Sequence, residues 1–210
     1  FGPTGMAGIY GSMSVSMSKD GKVAFGVNDI CSCAFQVGGV MVTLASQGDF
    51  IVGEFTGVGV LNWVLTEGIS GDRWNKSDPY PQVIRHNSAG EVYFMGEFKG
   101  IGTFNGSRSV SSQGIDTFVQ RISNDGSVLW TQFLSSSGPD FALGLTVDRS
   151  DNIYTSVWPS TETLLGGLNV NPRSSQSGWA FPVIVKMNSS GNADWFRVVG
   201  GSSLSVDAVN

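Results

Sequence analysis

The sequence predicts an all-β protein assembled from repeated antiparallel sheet units. The first observation is a repeat, because residues 118–130 and 183–195 each contain a short apolar strand, a tight turn and a tryptophan. The turn glycines Gly126 and Gly191 lie 65 residues apart, as do Trp130 and Trp195. The second is composition, because 29 of 210 residues are glycine and no segment keeps a helical period. A repeat of this length holds several strands, so we expect an array of similar β units.

A second pattern between the tryptophans predicts a further hairpin in each repeat. Residues 15–26, 83–96 and 145–154 each consist of two short alternating runs around a tight turn. The flanking valines, isoleucines and aromatic residues favour strands, and the turn residues tolerate a positive φ. The expected turn pairs are Asp20-Gly21, Ala89-Gly90 and Asp151-Asn152. Two hairpins per repeat give four strands.

The longer motif has four parts in a fixed order. They are an Asp-x-Phe-Val strand with a glycine turn and a tryptophan, a Gly/Ser-rich turn with Asp, an apolar strand, and an Asp-containing hairpin with Tyr154. These parts lie at residues 116–130, 135–140, 143–147 and 148–154. Residues 183–209 match the motif again. This order resembles the SBBP-type β-propeller repeat of secreted and surface proteins. The resemblance implies propeller blades, each a four-stranded antiparallel sheet, and it implies no activity.

The earliest copy departs from the motif. Trp63 lies 67 residues before Trp130, and residues 40–48 fit the strand and turn. However, about ten extra residues separate Gly48 from Trp63. We therefore predict about three units plus a fragment in a single repeat region, residues 1–210. The expected units are residues 8–66, 67–134 and 135–199, with the start of a further unit at 200–210.

Three units are fewer than the four to eight blades that close a propeller. Open units expose apolar faces and strand edges, which pair with other protein. We therefore expect other segments of a longer polypeptide, or copies of the same protein, to complete the assembly, with open stacking as the alternative. Residues 206–210 should pair as a strand, and the apolar face around residues 1–10 should be buried in a contact beyond this chain.

Charge and hydropathy exclude two classes of partner. With 17 acidic and 12 basic residues, the chain lacks the Lys/Arg stripe that binds a phosphate backbone, so we expect no nucleic acid. No segment approaches the ~20 consecutive apolar residues of a membrane span. Charged residues make up only 14% of the chain, against ~25% in an average soluble domain. We expect an extracellular or cell-surface location.

The two cysteines, Cys31 and Cys33, leave three alternatives open. A disulfide between them requires a turn, because residues two apart in a strand lie near the limit for bridging. The others are two free buried thiols and pairing with cysteines elsewhere. The chain has one histidine, too few ligands for a standard zinc site.

Three sequons and one acidic pair are candidate modification and metal sites. Asn75, Asn105 and Asn188 would accept glycans in a eukaryotic secreted protein, which would make the chain a glycoprotein. Asp148 and Asp151 are the best candidates for Ca²⁺, but a calcium loop gathers more oxygens than this turn offers. Asp in a tight turn already has a structural explanation, so we expect no cofactor.

Catalysis is not expected from the titratable residues. His86 lies at a strand end beside a turn, where a lone histidine is usually solvated. A pair of carboxylates from distant loops would support a propeller glycosidase or lyase. The candidates are Glu54, Glu67, Glu97 and Glu162, and nothing in the sequence singles out a pair.

The six tryptophans fall into two groups. Trp63, Trp130 and Trp195 recur with the repeat, and we expect them to be buried anchors between adjacent units. Trp74, Trp158 and Trp179 lie in loop-like contexts, where they either pack against the insertions or contact carbohydrate or a protein partner. The sequence thus predicts a non-catalytic structural or adhesive scaffold of a surface coat or filament. A lectin-like or protein-binding propeller is the first alternative.

Overall fold

The computed structural model describes residues 13–28, 34–44, 50–70, 83–104, 108–165, 167–170, 172, 181–199 and 206–208. In this part of the chain the regular structure is β-strand, and the antiparallel sheet curls as a half-barrel. The prediction of an all-β protein is therefore confirmed. The described residues contain no helix that could cross a membrane.

The strands form three groups, which we call unit 1, unit 2 and unit 3. Unit 1 runs through β1 (Met13–Met17), β2 (Val23–Asn28), a separate hairpin of β3 (Ala34–Val37) and β4 (Val40–Thr43), then β5 (Phe50–Phe55) and β6 (Leu61–Ser70). Unit 2 contains β7 (Val83–His86), β8 (Val92–Phe104), β9 (Arg108–Ile122) and β10 (Val128–Leu134). Unit 3 contains β11 (Phe141–Val147), β12 (Ile153–Trp158), a hairpin of β13 (Thr163–Leu165) and β14 (Leu168–Val170), then β15 (Val183–Met187), β16 (Ala193–Val198) and β17 (Val206–Ala208).

Each unit has a core of four antiparallel strands in chain order, as two hairpins per repeat predict. The end of β6 also pairs with the outer part of β8, from Gly68↔Thr103 to Ser70↔Ile101, and joins units 1 and 2 into one sheet. β17 pairs with β16 as a fifth strand of unit 3. Residues 206–210 were expected to pair as a strand, and this is confirmed for the described residues 206–208. The start of a further unit stays a prediction.

Six hairpin turns share one five-residue geometry. The first residue donates its backbone N–H to the carbonyl of the fifth, and the fourth donates its N–H to the carbonyl of the first. The side-chain oxygen of the first residue accepts the N–H of the fifth. The first residues are Ser18, Thr56, Asn87, Ser123, Asp148 and Asn188. The fourth residue has a positive φ and is glycine in five turns and Asp151 in the other, as in three-residue hairpin loops. The two-residue turns expected around Gly21, Gly90 and Asp151 are thus one residue longer.

The turns correct the alignment of the earliest copy. Gly59 is the fourth residue of the turn between β5 and β6, and Trp63 follows it by the same interval that separates Trp130 from Gly126. The segment at residues 40–48 instead begins with β4 of the separate hairpin, so its assignment to the motif is wrong. The apparent insertion arose because β5 carries Gly53 and Glu54 where the motif suggested an apolar strand.

Each unit has two faces, defined by cross-strand rows of side chains. The forward face carries the repeat tryptophan, and its rows are Ala24–Glu54–Trp63, Tyr93–Arg121–Trp130 and Tyr154–Lys186–Trp195. The rear face carries the rows Val15–Phe25–Gly53, Ile84–Phe94–Gln120 and Leu145–Thr155–Val185. Two cores result, one where the forward face of unit 1 meets the rear face of unit 2 and one where unit 2 meets unit 3. We call these contacts the first and second interfaces.

Candidate functional site

The interfaces between units form the candidate functional site, because buried charged side chains concentrate there. Glu54 and Glu67 lie at the first interface, and Glu97 and Asp140 lie at the second. All four are at most 3% exposed. A buried charge is costly unless it is paired or neutralised, so each must have a structural or a chemical role.

A tryptophan of one unit lies against the turn glycine of the next, and this contact occurs twice. A Cβ atom placed on Gly126 of unit 2 would lie 2.9 Å from the Cβ of Trp63 in unit 1. A Cβ atom on Gly191 of unit 3 would lie 3.1 Å from Cδ2 of Trp130 in unit 2. Trp130 Nε1 also donates to the carbonyl of Ser189 in the same turn, at 3.0 Å. These contacts confirm the expected anchoring role of Trp63 and Trp130.

The expected full burial is confirmed only for Trp63, which is 8% exposed. Trp130 and Trp195 occupy matching register positions opposite Arg121 and Lys186, but both are half-buried. The prediction that their positions are equivalent is confirmed, and the prediction that both are buried is wrong. Trp195 contacts Tyr154 and Arg197 of its own unit.

His86 of β7 joins units 1 and 2 through both nitrogens of its ring. Nε2 lies 3.0 Å from Glu54 Oε2, and Nδ1 lies 3.1 Å from Ser16 Oγ. The side chains of His86 and Glu54 are 3% and 0% exposed, so the expectation of a solvated histidine is wrong. Local sequence could not reveal this, because the partners belong to another unit.

Ser16, His86 and Glu54 follow the order of a hydrolytic triad, but their bonds serve the interface. Ser16 Oγ accepts the backbone N–H of His86 at 3.0 Å. Glu54 also accepts from Asn62 Nδ2 at 2.8 Å and lies 3.4 Å from Lys22 Nζ. With its proton on Nε2, the ring donates to Glu54 and accepts from the Ser16 hydroxyl. The arrangement holds β1 against β7, which suits a structural clamp better than an exposed nucleophile.

Arg121 connects units 2 and 3. Its Nε and Nη2 atoms donate to Glu91 Oε2 at 2.9 and 2.6 Å, and Nη1 donates to the carbonyl of Ser189 at 2.6 Å. The carbonyl of Ser189 also accepts from Trp130, so one turn of unit 3 receives two donors from unit 2. Charge-assisted bonds of this kind fix orientation as well as adding stability.

Glu97 holds the start of unit 3 against unit 2. Its Oε1 accepts the backbone N–H of Ala142 at 2.6 Å. Burial raises the pKa of Glu97 to about 8, and the bond from Ala142 offsets only part of this effect. At neutral pH the protonated form therefore predominates, and the carboxyl acts as a neutral tie between the units.

Asp140 plays a similar part in the link between β10 and β11. Its Oδ1 accepts from Ser136 Oγ at 2.8 Å and from Ser160 N at 3.0 Å, and Thr117 Oγ1 donates to its carbonyl at 2.9 Å. Burial raises the pKa of Asp140 to about 6; the two bonds to its carboxyl oppose this shift, whereas the nearby charge of Asp116 adds to it. The sequence marked Asp140 only as a turn residue. An acid directly before an apolar strand is the signal that could have singled it out.

The four candidate glutamates bind separate partners. Glu54 bonds to His86, Glu67 accepts from Gln120 Nε2 at 2.7 Å, and Glu97 accepts from Ala142. Glu162 is exposed and accepts from Asn169 Nδ2. The described residues thus show these glutamates in four different places rather than as a pair flanking a cleft.

Asp148 and Asp151 hold turns together. Asp148 caps its own turn by accepting from the N–H groups of Ser150 and Asn152. Asp151 accepts from the backbone N–H and the hydroxyl of Ser88, both at 2.9 Å, and links turns of units 2 and 3. Among the described residues, no group of three or more His, Cys, Asp or Glu side chains is arranged to hold a metal ion.

The remaining predicted sites are only partly described. Asn188 caps its turn through Oδ1, which accepts from Ser190 and Asn192. Trp158, at the end of β12, is 37% exposed and pairs in register with Phe141, which is exposed to the same extent. Cys31, Cys33, Asn75, Asn105, Trp74 and Trp179 lie outside the described residues.

No family model and no curated protein matches this chain. The resemblance to the SBBP-type repeat therefore stays a prediction.

Proposed function

We propose that the chain is a non-catalytic structural or adhesive scaffold, located outside the cell or at its surface and built of propeller-type units. The single observation that supports this most strongly is the recurrence of one contact, tryptophan on turn glycine, at both interfaces. A recurring contact is what a repeat array needs, because each unit stabilises its neighbour in the same way.

The use of the buried polar groups supports a scaffold. Glu54, His86 and Arg121 bond across or beside an interface, and Glu97 and Asp140 hold the link between units. A catalytic site requires groups that converge on a space for substrate. In the described residues these groups instead bind one another or the backbone.

The propeller arrangement is the finer part of the proposal. The first strands of the three units contact in series, β1 with β7 and β7 with β11. In a propeller the first strands of successive blades lie side by side around the central axis, so this succession suits blades. Ser14 and Ser16 of β1 accept backbone N–H groups of Ile84 and His86 in β7 and fix that neighbour relation.

Surface labelling in cells of the source organism tests location, and complementation tests the scaffold. Antibodies against the chain should label intact cells, and protease treatment of intact cells should remove the epitope. If cells that lack the chain lose adhesion or surface-layer integrity, expression of the parent chain should restore that property. The variant Trp130→Ala should restore it poorly, because it removes an anchor between units.

The control for this experiment is Glu162→Gln, which changes an exposed carboxylate that accepts from Asn169 of the neighbouring β14. It should restore adhesion or surface-layer integrity fully. Failure of a folded Glu162→Gln protein to restore that property, or labelling that requires permeabilised cells, would contradict the proposal.

A carbohydrate- or protein-binding module is the second candidate. It is favoured by the exposed cross-strand pair Phe141 and Trp158, because exposed aromatics stack on sugar rings or anchor partners. Titration of tryptophan fluorescence against a glycan panel, with Trp158→Ala as control, tests it. Saturable binding lost in Trp158→Ala would favour this candidate.

A further inference from the structure

We propose that two copies of the chain dock head to tail, the forward face of unit 3 in each copy covering the rear face of unit 1 in the other. This inference rests on the proposed function, since it extends the interface between units beyond one chain. Docking of this kind would bring together the three described units of each copy.

In the described residues, the part of the rear face of unit 1 formed by β1 is less covered than its counterparts in units 2 and 3. Ile84 and Leu145, in the rear faces of units 2 and 3, are 0% and 4% exposed. Val15, at the same register position in unit 1, is 55% exposed. An apolar groove of about 410 Å³ opens here between Val15, Phe25 and Phe55. A position buried in two units of three points to a missing neighbour of the same kind.

The turn at Gly59 has the geometry of the two turns that contact a tryptophan in units 2 and 3. Gly126 and Gly191, the fourth residues of the corresponding turns, are each covered by a tryptophan of the preceding unit. Gly59 has a similar positive φ, yet a Cβ atom there would meet no atom of the described residues within 4 Å. Val58 and Val60 beside it are 87% and 62% exposed, where the equivalent turn of unit 2 carries Asp125 and Ser127. Contact of these exposed valines with an indole ring would be favourable, because it removes apolar surface from water.

The forward face of unit 3 supplies that indole. Its row Tyr154–Lys186–Trp195 matches the row Tyr93–Arg121–Trp130 that docks on unit 3. Lys186 is paired with Asp194 at 2.9 Å, as Arg121 is paired with Glu91. Arg197, on the same face, lies over the Trp195 ring and donates to the carbonyl of Phe196. Trp195 is therefore the third member of the series that begins with Trp63 and Trp130.

The hairpins inserted in units 1 and 3 identify the same junction. The β13–β14 hairpin follows the second strand of unit 3 and lies between β10 of unit 2 and β16 of unit 3. The β3–β4 hairpin follows the second strand of unit 1 and packs Val42 and Leu44 on Ile51 of that unit's rear face. Because the two hairpins follow equivalent strands, β3–β4 should line one side of an interface, as β13–β14 does. The forward face of unit 3 in the second copy then forms the other side.

Two copies provide a number of units that can close. A contact between unlike faces produces a ring if the rotation closes and a filament if it does not. The described residues of two copies hold six such units, three in each. The resulting six units lie within the range of about four to eight known for propeller rings.

Mass measurement of the purified chain by light scattering or sedimentation is the first test. We expect about 44 kDa, twice the 22.2 kDa of one chain. Val15→Asp and Trp195→Asp should each weaken the dimer by more than about thirtyfold, the effect of losing an apolar anchor. Leu129→Asp is the matched control, because Leu129 is 48% exposed on β10 and lies on neither docking face.

Mixing the two defective variants tests the head-to-tail geometry. Val15→Asp keeps an intact forward face on unit 3, and Trp195→Asp keeps an intact rear face on unit 1. The mixture should form a one-to-one heterodimer through one intact contact, whereas each variant alone stays monomeric. Circular dichroism of each variant checks that it remains folded.

The inference would be overturned by a folded parent chain that is monomeric or forms longer polymers. It would also be overturned if Val15→Asp and Trp195→Asp both dimerise as strongly as the parent chain. A mixture that fails to associate would also overturn it. The complementation experiment tests the proposed function separately. That function fails if Glu162→Gln does not restore adhesion or surface-layer integrity in cells. A monomeric chain whose phenotype depends on Trp130 would leave the scaffold standing and remove only the dimer.

Discussion

The two interfaces use the same tryptophan and glycine contact but bury different chemistry around it. The first is aromatic, with the Phe118 ring 5.2 Å from that of Phe50 and 4.8 Å from that of Phe104. The second is largely aliphatic and is built around side chains such as Leu145 and Met187. The contact that recurs is the one that fixes how neighbouring units are spaced, whereas the remaining core varies.

The polar groups differ in the same way. At the first interface Glu54 has donors on three side chains, Lys22, Asn62 and His86. At the second, Glu97 Oε2 and Asp140 Oδ2 have no hydrogen-bond partner among the described residues. At the first interface donors thus surround the buried carboxylate, whereas at the second Glu97 avoids a charge by keeping its proton at neutral pH. The raised pKa values of Glu97 and Asp140 should make the second interface sensitive to pH.

The largest expected loss of unfolding free energy comes from a substitution in the aromatic core of the first interface. Phe118→Ala should cost about 3–5 kcal/mol of unfolding free energy, because a fully buried ring is replaced by a cavity. Val183→Ala, the matched change at the equivalent position of unit 3, should cost about 2 kcal/mol, since less apolar surface is lost. Chemical denaturation measures both. Equal costs would mean that the two cores do not differ energetically.

The next effect tests the contact that the interfaces share. Gly126→Ala should cost about 3 kcal/mol, because a methyl group strains a positive φ and overlaps Trp63. Gly191→Ala should cost about as much. The control is Gly167→Ala, which has a similar φ and open space, and it should cost only about 1–2 kcal/mol. A cost for Gly126→Ala no greater than for the control would show that Trp63 does not restrict the turn.

The third effect separates the interfaces by pH. Burial raises the pKa of Glu97 from 4.5 to about 8, so the folded state binds this proton more tightly than the unfolded state. Its contribution to stability is complete below about pH 4.5 and is lost as the pH rises to about 8.

Glu97→Gln should therefore match the parent near pH 4.5 and exceed it by about 4 kcal/mol at pH 8. Unfolding curves at the two pH values measure this difference. A parent chain whose stability does not fall over this range, or a Glu97→Gln protein that shows the same fall, would contradict the assignment.

The smallest effect concerns the turn bridge at the second interface. Ser88→Ala removes the hydroxyl that donates to Asp151 Oδ2, and exposed bonds of this kind contribute only about 0.5 kcal/mol. A double-mutant cycle with Asp151→Asn measures the coupling. A coupling well above about 1 kcal/mol would show that the bridge is a main element of the interface.

Local features of the fold were predictable from the sequence, because strands and turns are encoded over a few residues. The repeat tryptophans and the turn glycines gave the hairpins and their order. The first copy was misaligned because Gly53 and Glu54 interrupt the apolar pattern of β5. The environments of His86 and Glu97 were not predictable, because each depends on residues of another unit. Burial between units changes exposure and pKa without leaving a local pattern.

The six capped turns have a consequence for the order of events in folding. Each turn carries its backbone bonds and its side-chain cap within five residues, so the register of a hairpin is decided almost as soon as those residues leave the ribosome. Closing so short a loop costs little entropy, and hairpins form in about 1–10 μs. The bond between Trp130 and Ser189 joins residues 59 positions apart and must wait until the next unit has been synthesised. Errors of folding should therefore lie in which units meet, and hardly ever in how a strand is aligned with its neighbour.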